Sequence, residues 1–145
     1  MKTDQSMGVI IFYRFPRSIK YLIIKHQKGH WSFPKGHANG NETKLKTALR
    51  ELKEETSISD IQLIKKSVLL KESYKFTNGK GVKILKKVNY FIAEAKNKKV
   101  KIDYKEVVNF KWCTFKAGLE KTTFNESKSI LKKADKIIRK YTNEK

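Results

Sequence analysis

Cysteine is almost missing from this chain: among 145 residues only Cys113 carries a thiol. An internal disulfide is therefore excluded, the usage fits a reducing compartment, and Cys113 itself reads as a small apolar core residue. No apolar run approaches the ~20 residues that span a bilayer. A secretory leader is not expected, because charged and polar residues precede Gly8 and Arg14 interrupts the apolar run after it. A cytoplasmic protein without a membrane partner is the expectation. Acidic residues are scarce, 14 against 34 basic ones, for a formal net charge of +20. Arginine is scarcer still, at Arg14, Arg17, Arg50 and Arg139, so lysine supplies the other thirty cations. Nucleic-acid readers favour arginine for bidentate contacts. A lysine excess spread along the whole chain reads first as compositional bias, and second as attraction for polyanions such as nucleotides, RNA or acidic partners.

What is present points to one folded domain over 1–145, read as a monomer: hydrophobic residues make up 39% of the chain, and sixteen are aromatic. The β-branched, apolar run from Met7 to Phe15 predicts a strand, Ile19 to His26 a second, and Pro16 a hairpin turn between them. A short extended piece around Ser32 and Phe33 ends at Pro34. From Thr43 the period changes: Leu45, Ala48, Leu49 and Leu52 have the spacing of an amphipathic helix. Two strand-like runs follow, over 61–74 and 82–95, with Asn78-Gly79 as a turn signal between them. Val107 to Phe115 predicts another strand. A last helix begins at a possible Thr123/Glu126 capping box and carries the stripe Ile130, Leu131, Ala134, Ile137, Ile138 and Tyr141. Strands, helix, strands, helix imply an α/β fold with a mixed sheet and helices packed against it. No internal repeat or linker is visible.

In a chain so basic, Glu42, Glu51, Glu54 and Glu55 stand close together. Glu51, Glu54 and Glu55 are neighbours on one helix surface, away from the leucine stripe. Close carboxylates repel unless a cation sits among them, and oxygen ligands of this kind suit Mg²⁺ or Mn²⁺. The alternative is a solvated acidic face. Upstream, "PKGH" places Gly36 where backbone can approach a ligand, between Lys35 and His37, both able to meet phosphate.

Gly36, five residues, Glu42, seven residues, then Arg50-Glu51-Leu52-Lys53-Glu54-Glu55-Thr56-Ser57-Ile58 resembles the Nudix box. Only Ser57 departs, standing where that family has glycine. A non-glycine residue there costs roughly 1 kcal/mol if the helix ends in a left-handed conformation, or the helix ends differently. The resemblance implies an α/β/α sandwich that hydrolyses nucleoside diphosphates linked to another group. It also implies a divalent cation held by Glu51, Glu54, Glu55 and a carbonyl near Gly36. Arg50 would orient Glu51, Glu42 would be a structural or outer group, and Glu54 is favoured as the base that activates water.

Beyond the box, "HWSFPKGH" and the order of the strands resemble the asymmetric diadenosine tetraphosphate hydrolases, loosely but over nearly the whole chain. Those enzymes release ATP and AMP and hold an adenine between aromatic rings. By position, Tyr74 and Phe124 would form the clamp, Lys35 and His37 would bind phosphate, and Glu106 would join the metal site. Lys83, Lys86 and Lys87 are further phosphate contacts to weigh, with Lys87 carried forward. Trp31 reads as a loop anchor or core residue, Tyr90 and Phe91 as core, and His26 and His30 as non-ligands. Two rivals stay open: an RNA 5′-end pyrophosphohydrolase or decapping enzyme, and a catalytically silent nucleotide- or RNA-binding domain.

Overall fold

A computed structural model describes residues 1–64 and 69–143. In chain order these hold β1 (Lys2–Phe15), β2 (Ser18–His26), β3 (Trp31–Ser32), β4 (Lys35–Gly36), α1 (Lys44–Thr56), β5 (Ile61–Leu63), β6 (Leu70–Thr77), β7 (Lys83–Ala95), β8 (Val107–Cys113), α2 (Phe115–Lys121) and α3 (Asn125–Asn143).

The strands form one mixed sheet. Its centre is a parallel pair, β1 against β7, running from Lys2 opposite Ile84 to Phe12 opposite Glu94. On the far side of β1, Met7 and Gly8 pair with β4 and Phe12 to Phe15 pair with β2. Beyond β7, β6 pairs with its first part and β5 with its last. Because β1 and β7 are covered on both faces, they read as near-continuous apolar runs without strict alternation. Successive side chains still point to opposite faces. Ile10, Phe12, Val88, Tyr90 and Ile92 pack under α3, while Val9, Ile11, Phe91 and Ala93 pack under α1. The result is the expected α/β/α sandwich.

Helix α1 buries Ala48 and Leu52 completely. Its N-cap is Thr43, whose hydroxyl accepts from the Lys46 N–H at 3.2 Å. Helix α3 buries Ile130, Leu131, Ala134 and Ile138. Burying each of the three larger side chains contributes about 1.5–3 kcal/mol.

Several boundaries differ from expectation. Strand β1 starts at Lys2, not Met7, because its polar first residues pair with the long β7 rather than being chosen by hydrophobicity. The predicted strand over 61–74 is two short strands, and residues 65–68 lie outside those described. The turn at Asn78-Gly79 exists, but the positive φ belongs to Gly81, at 76°. The Asn78 side chain accepts from the N–H groups of Lys80 and Val82 and so shapes a longer loop. Phe115 leaves the predicted strand to open α2, capped by the Thr114 hydroxyl. The Thr123/Glu126 capping box gives way to a tertiary bond, since the Thr123 hydroxyl accepts from the Trp31 N–H at 2.8 Å. Ser57 takes the left-handed conformation at φ 65°, its N–H reaching Lys53 O at 2.9 Å. Its hydroxyl donates to Lys101 O at 2.8 Å, a tie glycine could not make.

Candidate active site

The C-terminal end of the loop before α1 and the inner side of that helix are joined by Arg50. Its guanidinium donates to both oxygens of Glu42 at 2.9 and 3.0 Å, to Glu51 at 2.9 Å, to both oxygens of Glu54 at 3.1 Å and to the His37 carbonyl at 2.7 Å. A planar fork can serve several acceptors in this way, and lysine could not. Glu42 also accepts from the Asn39 N–H and the Thr47 hydroxyl. Arg50's hydrogen bonds, with the Asn39 N–H behind them, pull the Glu42 carboxyl down to about 2. Glu42 is thereby a strut for the loop and for Arg50, the structural one of its two expected roles.

Glu51 and Glu55 turn inward, one helical turn apart, and are 9% and 4% exposed. Gly36 makes room for Glu51: a Cβ there would lie 2.1 Å from the Glu51 carboxyl carbon. Glu106, from the loop before β8, completes a trio whose oxygens lie within 4.8 Å of one another. Burial pushes the Glu55 carboxyl up to about 8; the Lys35 N–H, donating at 2.9 Å, opposes this, and repulsion from Glu51 and Glu106 adds to it. Burial likewise raises Glu51 against the pull of Arg50. Among the described residues Glu55 takes one backbone donor and no side-chain cation pairs with it, so this crowded trio of carboxylates is short of positive charge. All-oxygen donors and that deficit fit a hard dication.

Glu54 lies outside the trio. At about 100° per residue it lies about 60° round the helix from Glu51 and about 100° from Glu55, at the rim of that face, where one Arg50 nitrogen reaches both Glu51 and Glu54. Its side chain is 52% exposed and paired with Arg50.

The trio opens into a cleft of about 550 Å³. Lys35, His37 and Lys86 line it beside Glu51, Glu55 and Glu106. Lys86 is only 7% exposed, and its ammonium donates to Asp4 at 2.9 Å and to the Ser6 hydroxyl at 2.6 Å. The other Asp4 oxygen meets His37 Nε2 at 2.6 Å. Burial of the Asp4 carboxyl acts upward, but the hydrogen bonds from Lys86 and His37 outweigh it and leave Asp4 below its ordinary value. Burial lowers Lys35, with Glu72 opposing most strongly and Lys86 adding to the fall. Lys87 is a correction: strand alternation puts it on the opposite face of β7 from Lys86, away from the cleft.

Of the expected ring pair, Tyr74 lines the cleft, while Phe124 is not among the residues lining it and is 44% exposed. Phe124 packs on His30, with centroids 5.4 Å apart, and His30 stacks on His26 at 4.4 Å. Tyr74's ring neighbour is Phe76, 6.1 Å away and 41% exposed, which also faces the cleft. Tyr90 and Phe91 are core, as expected, and Trp31 is a half-buried anchor with Lys121 4.0 Å over its ring. His26 is held neutral, pushed down to about 3 by burial first and by His30 and Lys35 after it.

Asp4, Ser6 and Phe76 escaped sequence reasoning. The first two sit on a polar strand start with no motif. Phe76 was discoverable by period 2, since it shares a strand face with Glu72 and Tyr74.

The match to known proteins agrees with this geometry. Residues 4–134 match the NUDIX domain. The chain belongs to the Nudix hydrolase family. Among curated Nudix relatives, the rat bis(5′-nucleosyl)-tetraphosphatase [asymmetrical] is 32% identical over 143 residues, covering 92% of this chain and 95% of its own. An RNA pyrophosphohydrolase of Pelagibacter ubique is 36% identical over 59 residues, 41% of this chain and 37% of that protein. Among solved structures, a Caenorhabditis elegans Ap4A hydrolase binary complex superposes with a TM-score of 0.79 at 26% identity, covering 93% of this chain and 97% of that one. Among the described residues, no helix of this Nudix chain is long and apolar enough to cross a membrane.

Proposed function

We propose that this Nudix chain hydrolyses dinucleoside polyphosphates, cutting diadenosine tetraphosphate into ATP and AMP with Mg²⁺ or Mn²⁺. One observation carries the reading: a single cleft brings the cation-poor carboxylate trio together with Lys35, Lys86, His37 and the Tyr74 ring. The near full-length similarity to the rat and nematode proteins supports the substrate class. The lone thiol suits a reducing compartment, which supports a cytoplasmic enzyme.

Glu51, Glu54, Glu55, Glu106 and the Gly36 carbonyl would hold the dication. When bound, it screens phosphate charge and makes a coordinated water acidic. Glu54 receives the proton of the attacking water. A new oxygen–phosphorus bond forms as one phosphoanhydride bond breaks, and the departing polyphosphate leaves as an anion. Arg50 fixes Glu51 and Glu54 against the loop. Lys35, Lys86 and His37 neutralise phosphate oxygens. Tyr74 and Phe124 stack an adenine, with Phe76 beside Tyr74, at ~1–3 kcal/mol per base.

A panel of dinucleoside polyphosphates incubated with Mg²⁺, followed by identification of the nucleotides released, tests the proposal. ATP plus AMP from the tetraphosphate supports it; two ADP, or no product, defeats it. Glu54→Gln should remove most turnover and leave the fold intact, and unchanged kcat would take the base away from Glu54. The second reading, an RNA 5′-end pyrophosphohydrolase, draws on the Pelagibacter similarity and on the net charge of +20. A large kcat/KM advantage for 5′-triphosphorylated RNA would favour it. Tight nucleotide binding without product would favour a silent binding domain.

A further inference from the structure

Three elements meet at Asp4. It stands on the polar start of β1, opposite Lys86 in the parallel register with β7, and reaches His37 in the loop after β4. One carboxylate oxygen takes Lys86 Nζ at 2.9 Å, and the other takes His37 Nε2 at 2.6 Å. Ser6, two residues on and so on the same strand face, takes a second Lys86 proton at 2.6 Å. Asp4, Ser6, Lys86 and His37 all line the catalytic cleft. We infer that Asp4 is a positioning residue of this site, bridging Lys86 and His37 into one preset receptor for the polyphosphate chain. The inference rests on the polyphosphate reading above.

Two effects of the carboxylate compete. It adds a negative charge to an anion-binding cleft, which disfavours the ligand. It also keeps a long lysine side chain in one rotamer and holds an otherwise exposed imidazole in place, so binding need not remove that freedom. Positioning prevails because Lys86 is nearly buried and has Lys35 as a like-charged neighbour. Without Asp4 it loses its ion-pair partner and keeps only the weaker pull of Glu72, and the ammonium has reason to leave the cleft. Lys86 has three donors, so Asp4 and Ser6 leave one for phosphate.

The test compares wild type with Asp4→Asn, Asp4→Ala and Asp4→Glu, by hydrolysis of diadenosine tetraphosphate and by calorimetric binding of inorganic tripolyphosphate. Asp4→Asn and Asp4→Ala should weaken tripolyphosphate binding by about tenfold and raise KM by a similar factor, with kcat within about twofold. Asp4→Glu should recover much of the loss. In a Lys86→Met background, Asp4→Ala should add less than about twofold, because the two act as a unit. Unchanged or tighter binding in Asp4→Ala overturns the inference, as does a full tenfold loss in the Lys86→Met background. Should wild type fail to cut the tetraphosphate, the substrate reading falls, while the tripolyphosphate measurements still judge Asp4.

Discussion

Glu42 and Glu55 belong to one sequence motif and end in opposite electrostatic states. Glu42 meets the Arg50 fork, a backbone N–H and a hydroxyl, and is pulled down to about 2. Glu55 is buried with a single backbone N–H and two carboxylate neighbours, and is pushed up to about 8. The protein supplies the counter-charge for one and leaves the other short. A carboxylate satisfied from within serves the framework. One left unsatisfied in a cleft is where an outside cation gains most.

Breaking the unsatisfied member should have the larger effect. Glu55→Gln should cost roughly 10²–10³ in divalent-dependent kcat, measured at saturating Mg²⁺. Breaking the satisfied member acts through Arg50: Glu42→Gln should lower activity about 10–100-fold and weaken Mn²⁺ binding, read by titration. If Glu42→Gln proved as damaging as Glu55→Gln, the division between strut and ligand would be lost.

Acidity sharpens the contrast. Folded Glu55 keeps its proton to about pH 8, against 4.5 ordinarily. Between those values the folded chain holds more protons than the unfolded one, so stability is full below 4.5 and falls as pH climbs through 8. Glu42 has the reverse sign: its contribution is present above 4.5 and lost as pH falls toward 2. Thermal melts of metal-free protein should therefore show Tm declining from pH 5 to 8, and saturating Mg²⁺ should flatten that decline. A metal-free Tm that rose over this interval would show that Glu55 is not the dominant titrating group.

The smallest effect lies at the end of α1. Ser57→Gly relieves a left-handed conformation worth about 1 kcal/mol but removes the hydroxyl bond to Lys101 O. The two nearly cancel, so a Tm change of no more than a few degrees is expected, with activity unchanged.

Much of the site was readable before folding was considered. Box spacing picked out Arg50, Glu51 and Glu55, because helical periodicity is local and fixed. The same spacing marks Glu54, whose side chain the structure pairs with Arg50 beside Glu51. Tyr74 was readable from the resemblance, whereas Phe76 needed the strand face. Composition cannot say which of the adjacent Lys86 and Lys87 points inward; the register of β7 puts Lys86 in the cleft. Thr123 has the pattern of a helix cap and instead binds the Trp31 N–H, a donor 92 residues away in sequence that only the fold brings to it.

By itself the sequence determined the α/β class, the amphipathic helices, the hairpin and the motif that orders the carboxylates. These follow from contacts between near neighbours, whose geometry the period of helix or strand dictates. The family resemblance pointed to Glu106, but only the tertiary structure brings it within reach of Glu51 and Glu55, and only it decided that Asp4 reaches both Lys86 and His37. Those residues lie far apart in sequence, and only the register of β1 on β7 and the packing of α1 on the sheet bring their charges within a few ångströms.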